Sequence, residues 1–238
     1  MPFLKYYFRR LSLRLSVLLL PAALSLPVLG QEAGGPMEVL TVPVRVHLMS
    51  GLEFVEKGET LDTWVTPEVF TASVLPEIDR IWKAAGIQWR VVSVEVEAVK
   101  TGPDLESILR RLEKREGVEI PTFRRLFPET DRNPNVTDLY LVPSVGRANG
   151  VALRGGRVAL VAVWRPNGSK DHRRAPLVRS GPGASSVAKA CAHELGHTLG
   201  LVHPEERFVE RLMQAGPGTE LTPEEIATAR EGAAKRAE

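Results

Sequence analysis

Apolar and polar positions alternate with period two in two stretches of the chain, and each predicts a strand. Residues 39–49 (VLTVPVRVHLM) alternate around Pro43, which has no N–H for a sheet ladder, so this strand is expected to have an exposed edge near its start. Residues 88–99 (QWRVVSVEVEAV) hold the alternation longer and form the clearest strand. Residues 138–142 (DLYLV) and 157–164 (RVALVAVW) are apolar, β-rich runs separated by Gly-containing turns. A helical period replaces the alternation elsewhere. Thr66-Pro67-Glu68 reads as an N-cap and first turn, after which Val69, Leu75, Ile78, Ile81 and Trp82 share one face. Pro76 is expected to break or kink that helix, and Gly86 ends it. Residues 105–115 put Leu105, Ile108, Leu109 and Leu112 on one side of a charged amphipathic helix whose charges form a solvated face. Thr222-Pro223-Glu224-Glu225 combines a capping box with proline at the first helical position, opening a C-terminal helix. Strands and helices interleaved in this way predict a single α/β domain, a mixed twisted sheet backed by helices.

The first thirty residues do not belong to that domain. Lys5, Arg9, Arg10 and Arg14 precede an apolar stretch over 15–29, which reads as a secretory signal peptide, 1–30; an uncleaved anchor is the alternative. Pro21 and Pro27 interrupt the run as a membrane span. Arg9-Arg10 fits a twin-arginine export signal only loosely. Residues 31–37 form a leader and 38–238 the domain. Setting aside the four basic residues of the signal leaves 27 basic against 29 acidic residues, a net charge of −2. The basic balance of the full chain is therefore no argument for nucleic acid, and none is expected as a partner. A secreted or periplasmic location is expected, with no stable membrane association after signal cleavage. The single cysteine, Cys191, excludes an intramolecular disulfide and reads as a small core residue. Residues 128–135 read as a solvated turn, with calcium at Asp131, Asn133, Asn135 and Asp138 as the alternative. The sequons at Asn135 and Asn167 matter only in a host that glycosylates secreted proteins. Residues 165–183 lack periodicity and read as a surface loop; Arg165, Lys170, Arg173, Arg174 and Arg179 offer the alternative of a basic rim for acidic substrate residues.

The chemistry is concentrated in residues 193–203 (HELGHTLGLVH). On a helix, positions four apart are rotated by about 40° and offset by about 6 Å, so His193 and His197 project from one face and reach one Zn²⁺ at roughly 2.0–2.1 Å. Glu194 falls beside the metal without ligating it, where a general base takes a proton from zinc-bound water. A straight helix would carry His203 away, but Gly200 can end the helix in a left-handed cap and return His203 as third ligand. Three protein nitrogens leave a fourth position open, the mark of a catalytic zinc site with one ion. Ser185 and Ser186 are N-cap candidates for this helix. His47 and His172 read as a facing-strand residue and an exposed loop residue.

His193-Glu194-Leu195-Gly196-His197, with Gly200 and His203, resembles the active-site motif of the metzincin clan of zinc peptidases. The resemblance extends to Met213, ten residues beyond His203, as a Met-turn residue forming an apolar floor under the imidazoles. It covers the C-terminal third and implies a metzincin-like catalytic domain with a long zinc-binding helix and a C-terminal helix. It also implies hydrolysis of peptide bonds in a peptide or protein substrate, with an endopeptidase expected and an exopeptidase, which would need a group anchoring the substrate terminus, as the alternative. The strand before the active-site helix, taken here as residues 157–164, would be an edge strand with which extended substrate pairs. The substrate side-chain pocket would fall to segments 165–186 and 204–220. Two features depart from clan members. No tyrosine follows Met213, the tyrosines being Tyr6, Tyr7 and Tyr140, so water is the expected fourth ligand. Cys191 precedes His193 by two positions and cannot act as a propeptide cysteine capping the zinc. The competing reading is a secreted zinc-binding module without catalytic activity, which would have no need of Glu194.

Overall fold

The computed structural model describes residues 37–238 except for 57, 115, 128–132, 134, 166–173, 179–184, 206–209, 215 and 238. The expected signal peptide, Asp131, Lys170, His172, Arg173, Arg179 and the Asn167 sequon lie outside the described residues. The chain enters with β1 (Leu40–Ser50) and a short hairpin of β2 (Phe54–Glu56) and β3 (Glu59–Leu61). α1 (Pro67–Val69) passes through a π-helical turn at Phe70–Val74 into α2 (Leu75–Trp82), and Gly86, at φ +60°, turns the chain into β4 (Ile87–Ala98). α3 (Pro103–Glu113) and α4 (Ile120–Arg124) come next, then β5 (Thr137–Val142), β6 (Gly150–Ala152) and β7 (Val158–Ala162). α5 (Val187–Thr198) and α6 (Pro223–Ala234) complete the described elements. No described helix is long and apolar enough to cross a membrane.

Five strands form one sheet in the order β4-β1-β5-β7-β6. β1 is parallel to β4 and to β5, β5 is parallel to β7, and β6 runs antiparallel to β7. The sheet is mixed, as the patterning predicts. Pro43 lies within β1, between β4 and β5, but β5 joins β1 only from Val44 onward, so proline's missing N–H falls where a second ladder has not begun. One expectation is corrected here. Residues 157–164 supply an interior strand, β7, while the edge is β6. Buried on both faces and paired on both sides, β7 reads as an unbroken apolar run, which is the signature of an interior strand.

Thr66 caps α1, its hydroxyl accepting the Val69 N–H at 3.3 Å. Pro76 does not stop the helix. The Leu75 N–H reaches back to the Phe70 carbonyl, and this wide turn just upstream accommodates the proline. α2 and α5 pack against each other and share one face of the sheet with Thr137, whose hydroxyl accepts from Arg236 beyond α6. Tyr140, three residues on, points to the opposite face. There it stacks on Phe127 at 3.9 Å and on His47 at 4.2 Å. The His47 ring nitrogens face Glu97 Oε1 at 2.7 Å and Asp138 Oδ1 at 3.1 Å, so His47 is a sheet residue, as expected, and the Asp138 carboxylate is engaged with it.

Candidate functional site

Ser186 is the N-cap of α5, its Oγ accepting the Lys189 N–H at 3.1 Å, whereas Ser185 lines the cavity in front of the helix. Nearly every residue of α5 is buried, and its alanines let it sit close against the sheet and α2. The helix ends as Gly200 predicts. With Gly200 at φ +100°, its N–H bonds the His197 carbonyl at 3.0 Å and the Leu201 N–H bonds the Gly196 carbonyl at 3.0 Å, the paired bonds of a Schellman cap. That reversal brings His203 back toward the two helical histidines. Its Nε2 lies 3.0 Å from His193 Nε2 and 3.1 Å from His197 Nε2.

The opposite side of each helical imidazole fixes its tautomer. His193 Nδ1 lies 2.7 Å from the Leu212 carbonyl, and His197 Nδ1 lies 2.9 Å from that of Leu201. A carbonyl only accepts, so both Nδ1 atoms carry the proton and both Nε2 lone pairs face the common focus. Nitrogen lone pairs clustered this closely repel unless a cation lies among them. Among the described residues, these three offer ligand atoms that converge within 4.8 Å, and they could hold a metal ion. Their spacing is near the ~3.3 Å between nitrogens set by tetrahedral Zn–N bonds. Burial drives His193 down to about 3, helped by the Lys189 charge, and burial also lowers His197. Both rings are thus held in the neutral form that ligates.

Glu194 is 5% exposed, and its Oε2 has no hydrogen-bond partner among the described residues. Burial pushes its carboxyl up to about 8, against the opposing Lys189 ammonium. A cation at the imidazole focus would act in the same direction as Lys189, favouring the carboxylate. Room for this side chain comes from Gly150 of β6, where a Cβ would lie 2.6 Å from Glu194 Cγ. β6, α5 and Met213 line a cavity of about 770 Å³ into which His193, Glu194, His197 and His203 all open. Met213 is fully buried, its sulfur against Gly196. Cys191 is a buried core thiol, raised by burial. No described tyrosine lines the cavity.

Sequence reasoning located the three converging histidines but not all of the walls of the cavity. Pro204, Glu205, Met213, Gln214 and Ser185 fall in the segments assigned to the pocket, but residues 147–152 form a wall that reading did not anticipate. Arg147 and Asn149 precede β6, a three-residue strand too short to show a period. Arg174 does not line the cavity; its guanidinium lies over the rings of Trp64 and Trp164, 5.1 and 5.7 Å from their centroids. Lys189 was also missed. It is 5% exposed, and burial pushes its ammonium down to about 8, with Glu194 opposing. The one available signal was its place four residues before His193 on the same helix face.

No family model matches the chain, and no curated protein matches it. Among solved structures, the chain is similar at 12% identity and TM-score 0.42 to a chaperone–substrate complex, covering 84% of this chain and 35% of that one. It is also similar, at 14% identity and TM-score 0.35, to a zinc-dependent peptidase from Methanocorpusculum labreanum (strain Z), covering 80% of this chain and 99% of that one. Likenesses of this strength assign neither fold nor activity, and the functional reading rests on the site itself.

Proposed function

We propose that the chain is a zinc-dependent peptidase of metzincin type, with His193, His197 and His203 as metal ligands and Glu194 as general base. The carrying observation is the pairing of three converging imidazole nitrogens with an unpartnered buried carboxylate oxygen in one cavity. A zinc ion held there supplies Lewis-acid polarisation of a carbonyl and a water of lowered pKa. Glu194 would accept a proton from water as its oxygen adds to the peptide carbonyl carbon, and would return a proton to the amine nitrogen as the C–N bond breaks. Among the described residues β6 is an edge strand beside Glu194, so an extended peptide can add to the sheet as a further strand through main-chain hydrogen bonds. Met213 forms the apolar floor of the site. Secretion or periplasmic export is part of the same proposal and rests on the sequence of residues 1–30.

A zinc-binding module without catalysis would leave Glu194 buried to no purpose, because a carboxylate with an unmatched oxygen costs stability. The test measures zinc content and cleavage of a mixed peptide library by the chain from Gln31, alongside Glu194→Gln. One zinc per chain in both proteins, with cleavage only by the wild type, is the expected result. Near wild-type cleavage by Glu194→Gln would overturn the assigned base. Zinc in both with cleavage in neither would favour the binding module.

A further inference from the structure

Lys189 is a buried cation on the wall of the candidate site with no described carboxylate at ion-pair distance. Its side chain is spent on a main-chain carbonyl. Nζ donates to the Gln214 oxygen at 2.6 Å and lies 3.5 Å from His193 Nδ1. One helical turn later, His193 Nδ1–H donates to the Leu212 oxygen at 2.7 Å. The segment 212–214 is therefore tied to α5 by two rungs from the same helix face, and Met213 sits between them with its sulfur packed on Gly196. On its outer side the segment is closed by the Leu212 N–H to the Glu220 carbonyl at 2.8 Å.

We infer that Lys189 is a positioning residue of the metal centre: its ammonium clamps the Gln214 carbonyl to α5, and this holds Met213 and the Leu212 acceptor of His193 in place. The inference rests on the metal site proposed above. Without the clamp, the Gln214 carbonyl loses this tie to α5, and the direct ties of the segment to the helix are reduced to the His193–Leu212 bond and the packing of Met213 on Gly196. The orientation of the His193 ring then follows the loop instead of fixing it. An outer hydrogen-bond partner of a ligating histidine typically accounts for 10–100-fold in metal affinity, and Lys189 acts through such a partner.

The experiment compares the wild-type chain with Lys189→Met, which keeps the length of the stem and loses the donor, and Lys189→Arg, which keeps a donor. Zinc affinity is measured by chelator competition, the visible spectrum of the cobalt(II)-substituted protein reports ligand geometry, and circular dichroism confirms the fold. The expected result is a 10–100-fold loss of zinc affinity and an altered cobalt spectrum in Lys189→Met, with Lys189→Arg restored toward wild type. If Lys189→Met does not fold, Lys189→Gln takes its place, its shorter amide falling short of the Gln214 carbonyl. Wild-type affinity and an unchanged spectrum in either folded variant would overturn the inference while leaving the metal site standing. Failure of the wild-type chain to bind zinc would sink the proposed function and this inference together.

Discussion

At the scale of single residues, Gly150 and Glu194 constrain each other more tightly than either constrains the sheet. A Cβ on Gly150 would meet Glu194 Cγ at 2.6 Å, Glu194 Oε1 at 2.8 Å and the Leu160 carbonyl at 2.8 Å. The carbonyl belongs to β7 and cannot yield, so the carboxylate must move. Gly150→Ala is expected to retain zinc and to lose about 100-fold in cleavage rate, the cost of displacing a reacting group by about 1 Å. Zinc stoichiometry and steady-state rates on one peptide check both halves; unaltered cleavage would mean that Glu194 is not held where catalysis needs it. This contact could not be read from the sequence, where Gly150 looks like any glycine of a turn. Lys189 was hidden for the opposite reason, since lysine is ordinarily a solvent residue and its burial becomes visible only once Gln214 is folded against it. The three histidines and Glu194 were legible because their spacing is a property of one helix and its cap.

At the scale of elements, legibility follows length and locality. β4 and α3 run long enough to display their periods, and the cap of α6 is written in four consecutive residues. Both capping-box bonds are present there, the Glu225 N–H to Thr222 Oγ1 at 3.2 Å and the Thr222 N–H to Glu225 Oε2 at 2.9 Å. β2, β3, β6 and α4 have three to five residues each and are fixed by what they pack on, which left the sheet edge misassigned. The relation of α6 to α5 is equally non-local. Gly232 crosses the end of α5 so closely that a Cβ there would overlap the Leu199 carbonyl. Gly232→Ala therefore has to push α6 away from the turn that returns His203. The expected result is a loss of about 1–3 kcal/mol in stability together with weaker zinc binding, read by urea denaturation and chelator competition. A stability loss with zinc affinity unchanged would mean that α6 supports the domain but not the third ligand.

At the scale of the whole molecule, the described domain is a sheet with the candidate metal centre on one side and the His47–Tyr140–Phe127 stack on the other. Arg236 joins several of its parts, donating to the Thr137 hydroxyl on β5, the Gly155 and Gly156 carbonyls before β7, and the Thr198 carbonyl at the end of α5. Arg230 joins others, bonding the Glu38 and Ala85 carbonyls. A ligand that binds only the folded state should stabilise all of these parts at once. Zinc at one hundred times its dissociation constant is expected to raise unfolding stability by about 2.7 kcal/mol, and chelation to remove that increment. A melting temperature indifferent to both zinc and chelator would argue against a metal site built into the fold. The bracing of α5 by α6 also sets an order in time. As the chain leaves the ribosome, all three imidazoles appear before Gly232 and Arg236, which follow roughly 1.5–6 s later at ordinary rates of synthesis. During that interval the nascent chain carries the three imidazoles without the helix that braces the turn between them. Completion of the candidate metal centre, and of the activity proposed for it, is thereby deferred until the domain around it has been made.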